Sequence, residues 1–257
     1  PLAFTGNKFE FRMLGSSQSI ASPNVVLNTI MADELKQFAD RLEKAESFHQ
    51  ALQELLRDTF RDHQRIIFDG NGYDDDWVQE AKRRGLSNLR DTVDCMPAYI
   101  DEKNVALFSR FGILTPEEMH ARYEIHLENY CKVTAIEAST LRDMVLRGIL
   151  PAVNRYTADL TQAILHKREL VVPCRVEEDL LQKLSALTGS LYDTMAAINE
   201  AMDKAPDAEG GIDAARYYRE EIVRRMEEAR QSIDQLESLT AAKYWPYPTY
   251  ADILFSV

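Results

Sequence analysis

Long apolar stretches are missing from this chain of 257 residues. No run of apolar residues reaches roughly 18, the length that a membrane-spanning helix needs, so the sequence indicates no membrane span. Positive charge is also scarce, because 30 Lys and Arg residues stand against 42 Asp and Glu residues and the net charge is -12. This balance argues against a general nucleic-acid surface, although a few local cations can still hold a small anion.

Cysteine is scarce as well, and the three cysteines lie far apart at Cys95, Cys131 and Cys174. An odd and widely spaced set does not make a disulfide framework, so we predict buried thiols and a reducing, cytoplasmic compartment. The sequence also contains no zinc-spaced cysteine set, no Walker loop and no nucleophile elbow. The sequence therefore gives no sign of a cysteine-bound zinc site, a Walker-type nucleotide site or a serine-hydrolase site.

The first pattern that is present is a short alternating segment near the start of the chain. Successive side chains of a β-strand point to opposite faces. The apolar side chains then share one face, which we expect to be buried: Phe9, Phe11 and Met13. The charged side chains share the other: Lys8, Glu10 and Arg12. This charged face has two interpretations, a solvated surface with paired charges or the wall of a polar site with a metal-binding Glu10 and phosphate-binding cations.

Helical periodicity dominates the rest of the chain, and residues typical of helix N-caps precede the predicted helices at Ser22, Ser47, Asp74 or Asp75, Asp101 and Thr115. The helix from Thr115 is predicted to continue to Pro173 with a kink at Gly148 and Pro151. Further helices are predicted from Glu177 to about Asp203 and after a hinge at residues 205–211, whereas residues 86–98 are predicted to be irregular. The fold class is therefore mainly α, with one short β-strand at the N-terminus followed by a bundle of long antiparallel helices.

The segment around the first strand, residues 6–20, resembles the last catalytic strand of glutamine synthetases, most closely the large type III enzymes. The resemblance continues through residues 22–28, 71–73, 101–104, 123–131 and 245–250. It implies that this chain is the C-terminal part of such an enzyme, and the absence of an initiator Met fits that expectation. The upstream part of the same polypeptide would then supply the other metal ligands, the glutamate-binding loop and the N-terminal domain.

The resemblance also implies four regions. Residues 1–21 would be the last strand and turn of the catalytic domain, and residues 22–114 would be helices and loops that pack on that domain. Residues 115–240 would form the long-helix bundle, and residues 241–257 an aromatic C-terminal tail that docks on its own protein.

Glutamine synthetases join ammonia to glutamate at the expense of ATP, through γ-glutamyl phosphate, with Mg or Mn ions bridging the phosphates. By its position in the motif, Glu10 would ligate one metal ion. Arg12 would be the catalytic arginine that contacts the transferred phosphoryl group or the substrate glutamate. Lys8 would bind the nucleotide phosphates where type I enzymes have an arginine, and it lacks the planar fork of a guanidinium group. The isolated chain is expected to be inactive, and the full-length enzyme to form a ring-shaped homo-oligomer.

Other interpretations stay open. The long helices could make the chain a non-catalytic helical scaffold for oligomer assembly. Two Glu-x-x-His pairs, Glu46–His49 and Glu117–His120, match parts of a di-iron bundle site, but both lie where the helix dipole already favours glutamate. Residues 69–80 match a calcium loop at positions one, three and twelve and fail at five and six, so a turn followed by an acidic helix cap fits better.

Overall fold

The computed structural model describes residues 2–12, 15, 18–248 and 250–254. These residues are mainly helical, as the sequence predicts, and contacts divide the chain into two compact units. The first unit is Pro1–Arg90 with Ala98–Met119, and the second is Asp91–Pro97 with His120–Val257. Within the described ranges, no helix is both long and apolar enough to cross a membrane. The four functional regions named above stay predictions.

The predicted strand is present as β2, Phe9–Phe11, and it pairs with a second strand, β1, Leu2–Phe4. The two strands are antiparallel, with Ala3 opposite Glu10, and Gly6 turns the chain between them with a φ of +95°. The predicted burial of the aromatic face is wrong, because Phe9 is 70% and Phe11 42% exposed. A two-stranded sheet offers too little surface to cover them. Met13 lies outside the described residues.

The first unit also contains α1, Ala21–Glu43; α2, Phe48–His63; α3, Asp75–Arg83; and α5, Glu102–Arg110, which follows α4, Thr92–Tyr99, along the chain. Helix α1 packs on α2 and α5. It begins one residue before Ser22, so the predicted cap is wrong: the N-cap position is Ile20, and the hydroxyl of Ser19 accepts a hydrogen bond from the N–H of Ala21 at 3.2 Å. Several large apolar side chains of α1 and α2 are exposed: Val25, Ile30, Met31, Leu35, Phe48, Leu56 and Phe60.

Helix α4, Thr92–Tyr99, occupies most of the segment 86–98 that the sequence analysis predicts to be irregular, so that prediction holds for residues 86–91 and is wrong from Thr92 on. The carboxylate of Asp91 accepts the N–H of Asp94 at 2.9 Å and caps the first turn. Arg219, far along the chain, donates to Asp91 at 3.2 Å and to Asp94 at 2.6 Å. A local cap and a distant ion pair together fix a helix that has weak periodicity of its own.

The three cysteines are free thiols, as predicted. Cys131 and Cys174 are buried, whereas Cys95 is exposed, so the prediction of buried thiols is wrong for Cys95. Helix α4 buries Val93 and Met96 instead, which turns Cys95 outward. Burial raises the pKa of Cys131, and the hydrogen bond to Glu178 raises the pKa of Cys174.

The long predicted helix is α6, Pro116–Met144, followed without a break by a π-helical segment, Val145–Ile149, and by α7, Leu150–Glu169. Thr115 and Glu118 form the predicted start: the N–H of Thr115 donates to the Glu118 carboxylate at 2.8 Å, and the N–H of Glu118 donates to the Thr115 hydroxyl at 3.2 Å. The interruption predicted at Gly148 and Pro151 is thus a π-helical turn within a continuous helix.

The remaining helices are α8, Arg175–Asp203; α9, Gly211–Tyr217; a second π-helical segment, Tyr218–Val223; and α10, Arg224–Leu239. Helix α8 packs against both α7 and α10. The largest fully buried side chains on these helices and their π-helical segments are Val145, Val153, Leu184, Leu191, Met195, Ile198, Ile222 and Leu236. The second unit therefore has a continuous apolar core.

Two tyrosines of the C-terminal tail contact helices of the second unit. The ring of Tyr244 lies 5.2 Å from the ring of Tyr156, and its hydroxyl donates to Asp159. The hydroxyl of Tyr247 donates to the carbonyl of Met144 at 3.2 Å. A last short helix, α11, is Tyr250–Leu254.

Candidate functional site

The structure brings the three predicted site residues together on one face of the hairpin. Lys8 Nζ lies 3.3 Å from Glu10 Oε1. Arg12 donates to the other carboxylate oxygen, Glu10 Oε2, from Nη2 at 2.8 Å and from Nε at 3.2 Å. The carboxylate thus lies between two cations, which is the order that the alternating sequence predicts. In this chain the charges pair with one another.

The charge state of Glu10 follows from this pairing. The hydrogen bond from Arg12 is the main cause that holds the pKa of Glu10 below its usual range, and the hydrogen bond from Lys8 is the second. Glu10 in turn raises the pKa of Arg12. Both directions favour the ionised forms of Glu10 and Arg12, in which a carboxylate binds a hard cation and a guanidinium group binds phosphate. Because the side chain of Glu10 is one-third exposed, solvent screens these interactions.

A fourth residue belongs to this cluster and was missed by the sequence analysis. Nη1 of Arg12 donates to the hydroxyl of Tyr73 at 3.4 Å, across 61 positions of the chain. The segment Asn71-Gly72-Tyr73 is part of the family resemblance, which was the available signal, but no role follows from the sequence for its side chains. Lys8, Glu10, Arg12 and Tyr73 are called the hairpin cluster below.

The loop that carries Tyr73 is held by its own side chains. The amide oxygen of Asn71 accepts the N–H of Tyr73 at 3.1 Å, and its NH₂ group donates to Asp74 at 2.7 Å. Asp74 occupies the N-cap position of α3, which begins at Asp75. A turn followed by an acidic helix start is therefore present where the calcium loop was considered.

Beside this loop, two aromatic rings and a guanidinium group form a compact stack. The rings of Phe68 and Trp77 stack with centroids 4.1 Å apart, and the guanidinium carbon of Arg84 lies 5.6 Å from the Trp77 centroid. Arg84 also donates to the carbonyl of Ile67 at 2.7 Å. A Cβ atom on Gly70 would lie 2.5 Å from the Phe68 ring, so a larger residue there would force that ring to move. The loop is thus anchored on both sides of Tyr73.

The hairpin cluster supplies part of what a metal site needs. Glu10 offers one ionised carboxylate, and hard divalent cations require several oxygen ligands. Over the part of the chain that the structure describes, no group of three or more His, Cys, Asp or Glu side chains is placed to hold a metal ion. Glu10 therefore fits the part of a single ligand in a larger site.

The two Glu-x-x-His pairs are not placed for a bundle site. The side chains of Glu46, His49, Glu117 and His120 are all exposed. Glu46 precedes α2, and Glu117 lies in the first turn of α6. A di-iron site needs these groups projecting into a helical core.

Comparison with known proteins identifies relatives over the whole chain. Residues 51–168 match the model of the glutamine synthetase C-terminal domain. A glutamine synthetase of Butyrivibrio fibrisolvens is 35% identical over 100% of this chain and 37% of its own length. A type-3 glutamine synthetase of Dictyostelium discoideum is 34% identical over 99% of this chain and 36% of its own length. A glutamine synthetase of Bacteroides fragilis (strain YCH46) is 30% identical over 100% of this chain and 36% of its own length. The chain thus spans little more than a third of these relatives and corresponds to their C-terminal part.

Proposed function

We propose that this chain, whose residues 51–168 match the glutamine synthetase C-terminal domain, is the C-terminal part of an enzyme that joins ammonia to glutamate. ATP would activate the glutamate as γ-glutamyl phosphate, as the sequence resemblance implies. The observation that carries the proposal is the hairpin cluster, since Glu10 is flanked by Lys8 and Arg12 in a chain that is similar to glutamine synthetases along its whole length.

In this proposal each of the three charged residues, Lys8, Glu10 and Arg12, has one task. Glu10 would hold a divalent cation, Mg or Mn, and such a cation would screen negative charge on the phosphates. With Glu10 engaged in this way, Lys8 and Arg12 would be free to bind anionic oxygens. Lys8 holds nucleotide phosphates as a point charge, and Arg12 offers a planar fork to the transferred phosphoryl group or to the substrate carboxylate.

We also propose that the rest of the polypeptide completes the site and covers the apolar surface of the first unit. Catalysis needs several carboxylates around the metal ions, and this hairpin supplies one. Phe9 and Phe11 of β2, and the exposed apolar residues of α1 and α2 named above, lie in the same unit as the hairpin cluster. A surface of this kind is typical of a face that another part of the protein buries. The isolated chain is therefore inactive in this proposal.

The decisive experiment compares full-length protein with the isolated chain. Both are assayed for ATP-dependent glutamine formation and for γ-glutamyl transfer, with Mg and with Mn. We expect activity from the full-length protein and none from the isolated chain. Activity in the isolated chain would refute its incompleteness, and an inactive full-length protein would refute the proposed function.

A second experiment tests Glu10 as a metal ligand. In the full-length protein, Glu10→Gln keeps the size of the side chain and removes its charge. We expect Mn affinity, measured by electron paramagnetic resonance, to fall by about tenfold or more, together with activity. The matched control is Glu209→Gln, which removes an exposed carboxylate from the turn before α9. Equal Mn affinity in the two variants would remove Glu10 from the site.

A scaffolding role in oligomer assembly is the second candidate, and the turn between α7 and α8 favours it. Leu170, Val171 and Val176 are at least 74% exposed in or beside this turn. Such an apolar tip suits contact with another subunit of a homo-oligomer. Both roles can hold in one protein. Measurement of mass in solution separates them, because an isolated chain that assembles by itself supports the scaffold, and a monomer argues against it. The cytoplasmic location stays a prediction.

A further inference from the structure

We propose that Tyr73 is a positioning residue for Arg12, an inference that rests on the proposed function. In this role the hydroxyl of Tyr73 fixes the guanidinium group of Arg12 while Glu10 is engaged by a metal ion. The site then keeps a preorganised anion-binding fork during phosphoryl transfer.

The first step of the argument concerns the partners of Arg12. Its Nε and Nη2 atoms both donate to Glu10 Oε2, and its Nη1 atom donates to the Tyr73 hydroxyl. The guanidinium group is thus held along two of its edges by two residues of different chemistry. One partner is a carboxylate and the other is a neutral hydroxyl.

These two partners respond differently to a divalent cation. A cation bound to Glu10 withdraws negative charge from the carboxylate and weakens its hold on Arg12. A phenol hydroxyl is a weaker ligand for a hard cation than a carboxylate is, so its contact with Nη1 persists. Tyr73 is therefore the partner that remains when Glu10 serves the metal. Without it, the long side chain of Arg12 has many rotamers and no fixed direction.

The third step is the support beneath Tyr73. Tyr73 is 84% exposed, so packing does not hold its side chain in place. Its backbone is held instead, by the Asn71 side chain on one side and by the stack of Phe68, Trp77 and Arg84 beneath the loop. An exposed tyrosine on a braced loop, aimed at an arginine of another element, has the geometry of a support for that arginine.

The test uses the full-length enzyme and the variant Tyr73→Phe, which removes the hydroxyl alone. We expect kcat to fall about tenfold or more, because a misplaced binding group slows a positioned reaction. Mn affinity is expected to stay at the wild-type value, which separates this role from that of Glu10. The matched control is Tyr192→Phe, which alters a 60% exposed tyrosine on α8 and is expected to leave kcat and KM unchanged.

A double variant shows whether Tyr73 acts through Arg12. We expect Tyr73→Phe to have little further effect on kcat when Arg12 is already replaced in Arg12→Gln, because the supported group is gone. Additive losses, or wild-type kcat and KM in an active Tyr73→Phe enzyme, would overturn the inference alone. A wild-type full-length protein that makes no glutamine would overturn the proposed function and the inference with it.

Discussion

The hydroxyl of Tyr247 occupies the space that a side chain on Gly148 would need. A Cβ atom on Gly148 would lie 2.6 Å from Tyr247 Oη and 3.2 Å from Tyr247 Cζ. The same hydroxyl donates to the carbonyl of Met144, just before the π-helical segment Val145–Ile149. The C-terminal tail therefore contacts the π-helical segment of the long helix at a glycine, and any larger residue at position 148 would displace the Tyr247 side chain.

The first prediction concerns this pair. We expect Gly148→Ala to lower the free energy of unfolding by about 1 kcal/mol, because the tyrosine must move and loses its hydrogen bond, which outweighs the gain in helix propensity. In a Tyr247→Ala background the same substitution should become stabilising, since only the propensity gain remains. Urea unfolding of the four variants measures the coupling.

The control for that prediction is Gly189→Ala in α8. Nothing lies within 4 Å of a Cβ atom placed there, and the residue is exposed. Alanine should therefore stabilise the chain by up to about 1 kcal/mol through helix propensity. Equal effects of alanine at 148 and 189 would contradict the proposed contact with Tyr247.

The second prediction concerns the end of α7. Val171 has a φ of +57°. Its N–H donates to the backbone carbonyl of Arg168, and the N–H of Val172 donates to the backbone carbonyl of Lys167. The same pair of hydrogen bonds ends α3 at Gly85 and α5 at Gly112, both with positive φ. This helix ending favours glycine because a Cβ atom is strained there. We expect Val171→Gly to stabilise the chain by about 0.5–1 kcal/mol in thermal unfolding.

The reverse exchange is the matched test. Gly112→Val places a β-branched residue in the same position of the same motif and should destabilise the chain by about 1–2 kcal/mol. A destabilising effect of Val171→Gly would show that the valine side chain makes a contact that outweighs the backbone strain.

The third prediction concerns pH and Glu80. Hydrogen bonds to its carboxylate lower the pKa of Glu80 to about 2, with the bond from Arg83 as the largest cause and the bond from Arg84 as the second. A pKa that is lower in the folded state contributes stability above the ordinary value near 4.5, and this contribution is lost as pH falls toward 2. Glu80→Gln should therefore unfold more readily than wild type at pH 7, with the difference disappearing near pH 2. The difference should also shrink in 1 M salt, since the groups face solvent.

Urea unfolding at a series of pH values checks this third prediction. A constant difference between Glu80→Gln and wild type from pH 7 to pH 2 would mean that ionisation of Glu80 is not the source of the effect.

The fourth prediction concerns the start of α6. Thr115→Ala removes the hydroxyl that accepts the N–H of Glu118 and should lower the free energy of unfolding by about 1 kcal/mol. Thr115→Ser keeps the hydroxyl and should stay close to wild type. If alanine and serine have the same effect in denaturant unfolding, the cap contributes nothing measurable.

Features that depend on neighbouring residues were predictable from the sequence. The Thr115–Glu118 pair, the starts of α2 and α3 and the helix endings at Gly85 and Gly112 each rest on residues a few positions apart. The order Lys8, Glu10, Arg12 on one face follows from the alternation of a strand, and the structure has it.

Features that depend on distant residues were not predictable in this way. Helix α4 owes part of its stability to Arg219, and Tyr73 reaches Arg12 across 61 positions. The exposure of Phe9 depends on which other parts of the protein cover the hairpin. The alternation of apolar and charged residues in a strand does not contain that information. The docking of Tyr247 against Gly148 joins residues that no local pattern connects. Sequence periodicity specifies which face a residue takes, and tertiary contacts decide what that face meets.

The π-helical segment Val145–Ile149 also bears on how chains of this type can differ in length. Such a turn arises when one extra residue is accommodated within a continuous helix. A homologous chain one residue shorter at this point would form a regular helix and rotate everything after it by roughly a quarter turn, which would change the face that meets Tyr247. A one-residue gap at this point in an alignment would therefore mark proteins whose C-terminal segment contacts the long helix in a different way.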